Sequence, residues 1–309
     1  MPLHSVTPIF QNAAIDARLN QQIHFKMDCY QAVGSFKIRG IGALCQHAQA
    51  EGKSRLISSS GGNAGYAAAY AGKQLGIPVT VVVPNTTSET AIQRMREQDA
   101  EVIIHGNVWN EADAHAQALV AENDNAYIHP FDNPIIWDGH ATIIHEAVTQ
   151  ISKPDAVVVA VGGGGLLAGV LTGMHAHNWH DVPVIAVETE GAASFAATAN
   201  TGVLTRITEI TSIAKTLGAL QVADALVDWL DKHPITAVQV SDADAVNACL
   251  QFADDFRAIV EPACGAALSL VYDKSHYLQD YDNVLMIVCG GAGATIQQLL
   301  RWQELSYAN

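Results

Sequence analysis

Charge is scarce in this chain. Asp, Glu, Lys and Arg make up only 15% of its 309 residues, against ~25% in an average globular protein. Basic residues are scarcer still, with 16 Lys+Arg facing 31 Asp+Glu for a formal charge of −15. That leaves no basic footprint for nucleic acid or an anionic membrane, both of which bind through clustered Lys and Arg. Cys29, Cys45, Cys249, Cys264 and Cys289 are odd in number and form no CxxC pair. Neither a disulfide framework nor a zinc site is expected, and reduced thiols in a cytoplasmic protein are the simplest reading. No basic stretch followed by an apolar one opens the chain, so a secretory signal is not expected. There is no linker rich in Pro, Gly or Ser, no internal repeat and no low-complexity tract. Disorder is excluded too, because 49% hydrophobic residues can bury enough surface to offset the ordering entropy.

What is present is a rhythm of β-branched runs and Ala-rich stretches. Strands are expected at 55–58, 79–83, 101–105, 156–161, 182–188 and 284–288, with helices at 64–75, 88–98, 110–122, 166–175 and 295–304. Strands that are apolar throughout and separated by helices predict parallel sheets buried on both faces. At roughly 100–200 residues per domain, two such sets, before about residue 132 and after 151, predict two α/β domains with a ligand cleft between them. Strand order is not legible. The uncharged run 156–174 is about long enough to span a bilayer. Its four consecutive glycines favour a strand, a tight loop and a buried helix instead.

Three glycine-rich turns carry chemistry. Val161-Gly162-Gly163-Gly164-Gly165 follows a β-run and opens a helix, where bare N–H groups and the helix dipole suit a phosphate. Gly163-x-Gly165-x-x-Ala168 also matches the dinucleotide fingerprint, with Glu188 as a candidate ribose ligand. The bland alternative is a tight turn with no ligand. Ser60-Gly61-Gly62-Asn63 gathers a hydroxyl, amides and an amide side chain at a helix start, a fit for a carboxylate. An ordinary capped turn would look the same. The third turn is Cys289-Gly290-Gly291-Ala292-Gly293, whose cysteine alone would be read as a small hydrophobe.

Gly34-Ser35-Phe36-Lys37 sets a lysine beside an aromatic ring in a chain with few lysines. By itself Lys37 reads as a surface charge. Together with a phosphate cradle and an anion loop, it supplies the parts of a pyridoxal 5'-phosphate (PLP) site, because a desolvated amine can form a Schiff base.

These residues resemble the fold-type II PLP family, and most closely its serine dehydratase branch of L-serine/L-threonine dehydratases. The similarity runs through GSFKIRG, SSSGGNAG, PFDNPIIWDGHATI, GGGGLLAG, VETEGAASF, ITSIAKTLGA and EPACGAAL. It implies two three-layer, parallel-sheet α/β domains like those of the tryptophan synthase β chain, with the active site in the cleft between them. A large PLP-binding domain would comprise 1–32 plus 134–309, and a small substrate-side domain 33–133. Lys37 would hold the cofactor covalently, Phe36 would cover its ring and Asn63 would contact its phenolic oxygen. Gly162, Gly163, Gly164 and Gly165 would bind its phosphate, and Cys289 would face the pyridine nitrogen. Ser60, Gly61, Gly62 and Asn63 would bind the substrate carboxylate. Gly162, Glu188, Ala192, Ser194, Leu217 and Ala219 would line a monovalent cation such as K+, which suits oxygen-only ligation.

The implied reaction is dehydration and deamination of L-serine to pyruvate, and of L-threonine to 2-oxobutyrate, with release of ammonia. The implied partners are a small amino-acid substrate and a second copy of the chain in a homodimer. Serine racemases and β-replacement synthases share the architecture. Outside the class stand a dinucleotide-binding oxidoreductase and a non-enzymatic amino-acid sensor with Lys37 as a relic. Three positions depart from the commonest pattern. Ala32 replaces a Pro and Gly61 replaces an Ala found in many serine dehydratases. Thr216 stands where a smaller residue often backs the ring, and its methyl is expected to tilt the cofactor.

Overall fold

The computed structural model describes residues 1–307, and side chains through residue 305. Its strands are β1 (Ile9–Phe10), β2 (Gln22–Lys26), β3 (Arg55–Ser58), β4 (Val79–Val83), β5 (Glu101–Ile104), β6 (Asn125–Tyr127), β7 (Ala156–Ala160), β8 (Val184–Thr189), β9 (Ile235–Val240) and β10 (Asn283–Ile287). They form a four-stranded sheet ordered β5-β4-β3-β6 and a six-stranded sheet ordered β1-β2-β10-β7-β8-β9. All pairings are parallel except β1 with β2.

Two compact units result. The first is Met1–Ser5 with Gln31–His140, and the second is Val6–Tyr30 with Ala141–Asn309. These limits differ from the boundaries expected at 32/33 and 133/134, for two local reasons. The Gln31 side chain accepts from Ser5 N–H at 2.9 Å and donates to Ser5 O at 2.8 Å, tying the first residues to the first unit. Downstream, helix Lys37–Ala50 and helix Pro134–Gln150 meet at bare glycines. A Cβ at Gly40 would fall 2.5 Å from Ile136 O, and one at Gly139 would fall 2.6 Å from Arg39 O. Residues 134–140 therefore belong with the first unit, and the boundary falls inside that helix.

In the first unit, alternation along the strands splits the core in two. Leu56, Val79, Val81 and Val83 pack with helices Lys37–Ala50 and Asn63–Leu75 on one face. Ile57 and Val82 pack with Ala112 and Ala116 of helix Trp109–Glu122 on the other. This is a three-layer α/β/α arrangement, and β4, buried at every residue, is apolar save Thr80 because both faces are covered.

In the second unit, β7 and β8 are buried throughout, and helices Gly165–Ala176 and Pro262–Tyr272 pack against the sheet. The uncharged run resolves into β7, a glycine turn and helix Gly165–Ala176. No described helix is long and apolar enough to cross a membrane. Strand β2 escaped the sequence reading because Gln, His and Lys interrupt its apolar pattern. Its Lys26 is fully buried beside Glu146 at 2.6 Å, and also donates to Thr7 O and Gln150.

Each chemically rich turn leaves the carboxyl end of a parallel strand: 59–62 after β3, 162–164 after β7, 190–193 after β8, and 289–293 after β10. That is the edge where α/β sheets hold their ligands.

Candidate active site

In the first unit, Phe36 caps helix Lys37–Ala50 and Lys37 is its first residue. The turn enters through Gly34 at φ 71°, a conformation that favours glycine. Lys37 Nζ donates to Pro130 O at 2.7 Å and stands 5.2 Å from the centre of the Phe36 ring. The acceptor is held from below: His129 Nδ1 accepts from Asp132 N–H at 2.7 Å and from Phe131 N–H at 3.2 Å. Burial, assisted by the Lys37 charge and opposed by Asp113, lowers the His129 pKa to about 4. The ring is therefore neutral, as its accepting Nδ1 requires.

His140 was not singled out in the sequence, where it sits inside a helical pattern. Its ring lies 4.8 Å from that of Phe36, and it is fully buried with neither ring nitrogen hydrogen-bonded. Burial first, then the charges of Lys37, Arg39 and His4, hold its pKa well below the ordinary value.

The Ser60–Asn63 turn opens helix Asn63–Leu75, whose N-cap Gly62 has no side-chain capping bond. Gly62 N–H donates to Ser60 Oγ at 3.3 Å. Beneath it, Ser59 Oγ donates to Asp113 at 2.7 Å, and Tyr127 OH donates to the same carboxylate oxygen. This triangle anchors the loop to helix Trp109–Glu122. Gly65 must be bare, since a Cβ there would fall 1.8 Å from Ser60 O.

In the second unit, the Gly162–Gly165 turn enters helix Gly165–Ala176 through Gly164, at φ 90° and without a side-chain cap. Leu226 Cδ1 packs 2.3 Å from where a Gly164 Cβ would stand, and Ala223 N–H donates to Gly163 O. A Cβ on Gly162 would come 3.0 Å from Leu217 Cα. The turn is thus bare by close packing as well as by backbone angle.

Glu188 is fully buried, and its two oxygens accept from Phe195 N–H at 2.8 Å and Ala196 N–H at 2.7 Å. Burial outweighs these bonds and pushes its pKa up to about 8. A carboxylate so enclosed is not available to a ribose, which removes the dinucleotide reading of the glycine turn. Ser194 Oγ is buried without a hydrogen-bond partner, and Gly162 lies against Leu217, so part of the expected cation set is drawn together. Among the described residues no group of three His, Cys, Asp or Glu side chains could hold a metal ion.

Cys289 is buried at the end of β10. Its hydrogen bond with Cys264, then burial and the charges of Cys264, Glu261 and Asp28, keep the thiol well above its ordinary pKa. It is a neutral thiol at physiological pH. Thr216 Oγ1 donates to Glu261 Oε1 at 2.5 Å. Glu261 stood in a quoted motif without a role, because its side-chain partners lie 45 and 32 residues away.

Comparison with known proteins gives the family. The model of the family described as "pyridoxal-phosphate dependent enzyme" matches residues 1–290. A human L-serine dehydratase/L-threonine deaminase is 44% identical, covering 98% of this chain and 95% of the relative. An L-serine dehydratase of Dictyostelium discoideum is 41% identical over 96% of this chain and 91% of its own. The crystal structure of a fungal L-serine ammonia-lyase from Rhizomucor miehei superposes with a TM-score of 0.93 at 36% identity, covering 98% of this chain and 99% of that one. With the lysine, the bare glycine turns and the buried thiol in place, the chain belongs to the pyridoxal-phosphate-dependent enzyme family.

Proposed function

We propose that the chain is an ammonia-lyase that dehydrates and deaminates L-serine to pyruvate and L-threonine to 2-oxobutyrate. The observation that carries this reading is the nearly full-length match to relatives named for these activities. The residues fit the cofactor. Lys37 offers an amine at a helix start, the Gly162–Gly165 turn presents an uncapped helix terminus, and Cys289 offers a buried thiol. When bound, PLP supplies an electron sink for negative charge developing at the substrate Cα.

Each residue then has a task. Lys37 would hold the cofactor, and its Nζ, when free, would take the substrate's Cα proton. Pro130 O orients that amine, and Phe36 would cover the ring. Asn63 would contact the cofactor's phenolic oxygen. Ser60, Gly61, Gly62 and Asn63 receive the substrate carboxylate by charge-assisted bonds. Gly162, Gly163, Gly164 and Gly165 bind phosphate through N–H groups and the helix dipole. Cys289 would meet the pyridine nitrogen as a neutral donor and bring no counter-ion charge, which would favour prompt loss of the β-hydroxyl over longer-lived chemistry at Cα.

A monovalent cation such as K+, ringed by Gly162, Glu188, Ala192, Ser194, Leu217 and Ala219, would favour the ionised form of Glu188 and take up the unpartnered Ser194 hydroxyl. A cytoplasmic homodimer completes the reading, and light scattering on the purified protein tests the assembly. Product analysis tests the reaction. L-serine must yield pyruvate and ammonia in equal amounts, whereas accumulation of D-serine as the main product would favour a racemase.

A further inference from the structure

Gly290 and Gly291 take φ of 84° and 122°, angles that glycine adopts freely and therefore abandons freely. A side chain from elsewhere in the chain reaches the Cys289–Gly293 turn. Glu261, 5% exposed, accepts from Gly293 N–H at 3.2 Å through Oε2. Its carboxylate also fills the space beside Gly291, where a Cβ would fall 2.0 Å from Glu261 Cδ. The backbone of the same residue starts helix Pro262–Tyr272, its carbonyl accepting from Cys264 N–H at 2.8 Å.

The other carboxylate oxygen faces the short helix Lys215–Leu217. Glu261 Oε1 receives the Thr216 hydroxyl at 2.5 Å. Thr216 in turn lies against Gly162, whose Cβ would come 3.2 Å from Thr216 O. A buried carboxylate is expensive unless its oxygens are bonded, so a purely packing role would be met as well by a neutral side chain. Here each oxygen is spent on a different segment.

We infer that Glu261 is a positioning residue, anchored by Thr216, that fixes the Cys289–Gly293 turn relative to the Gly162–Gly165 turn and so sets the Cys289 thiol for the cofactor's ring nitrogen. This rests on the PLP site proposed above. Thr216 is the adjustable element: Thr216→Ser keeps the hydroxyl, while Thr216→Val keeps the shape and removes the donor.

The test compares wild type, Thr216→Ser, Thr216→Val and Glu261→Gln as full-length protein. Backbone hydrogen exchange over 289–293 is read with and without PLP, and PLP release and the absorption band of the bound cofactor are read on the loaded protein. Thr216→Val is expected to speed exchange of this segment and PLP release by about five- to tenfold and to shift the band, with Thr216→Ser restoring wild-type values and Glu261→Gln intermediate. Unchanged exchange in Thr216→Val overturns the brace. Faster exchange with unaltered release and band overturns its role toward the cofactor. A wild-type protein that takes up no PLP overturns the site reading itself, while exchange without cofactor still judges the brace. If Glu261→Gln does not fold, the two Thr216 variants decide the matter alone.

Discussion

Lys37 Nζ donates to the carbonyl oxygen of Pro130 at 2.7 Å, and the turn presenting that carbonyl is held by His129 Nδ1 as an acceptor of two backbone N–H groups. The Lys37 amine is thus oriented through a neutral imidazole. Protonation at Nδ1 would break both supporting bonds.

Acid should therefore loosen this turn. The His129 pKa falls from 6.5 to about 4 on folding. A depressed folded-state value contributes stability that is present above the unfolded pKa and lost as pH falls through the folded one. The melting temperature should decline between about pH 6.5 and 4. His129→Asn, which keeps an acceptor near Nδ1 and does not titrate there, should flatten that slope. Equal slopes would sink the assignment.

Gly61 in the Ser60–Asn63 turn and Gly65 in the helix that follows should respond very differently to a methyl. At Gly65 the new Cβ meets the Ser60 backbone at 1.8 Å, whereas at Gly61 it meets the Thr87 side-chain end at 2.8 Å, which can turn aside. Gly65→Ala should cost ~3 kcal/mol or more in urea unfolding and Gly61→Ala under ~1.5 kcal/mol. Ser60→Ala should fold normally and lose about tenfold in kcat/KM for L-serine.

Cys289 should govern which reaction follows proton removal. Cys289→Asp places a carboxylate where the structure has a neutral thiol, strengthening the electron sink by supporting a charged ring nitrogen. The ratio of transamination and racemisation products to pyruvate should rise, as read by chromatography. An unchanged ratio would count against the role given to the thiol.

The buried pair in β2 makes a stability prediction. Lys26 is inaccessible and Glu146 nearly so, at 0% and 10% side-chain exposure. Glu146→Ala leaves a buried ammonium uncompensated and should cost ~3–5 kcal/mol in denaturant unfolding. A loss below ~1 kcal/mol would show that Thr7 O and Gln150 suffice for Lys26.

The sequence announced what is local. Strands β4 and β7 are short, largely apolar runs because both faces of each sheet are covered, so their pattern alone identifies them. The Ser60–Asn63, Gly162–Gly165 and Cys289–Gly293 turns compress their chemistry into consecutive residues. What stayed hidden is paired across the chain. Lys26 reads as a surface charge until Glu146, 120 residues on, is found beside it. Thr216 reads as a bulky departure until Glu261 accepts its hydroxyl. His140 reads as one polar residue in a helix until its ring is found against Phe36.

The measurement closest to the centre of this account is the absorption spectrum and keto-acid assay of purified wild type beside Lys37→Ala. Wild type should be yellow with PLP and release pyruvate from L-serine. Lys37→Ala should fold, lose the yellow band and release none. A colourless wild-type protein, or a Lys37→Ala variant that retains both the band and pyruvate release, would contradict it.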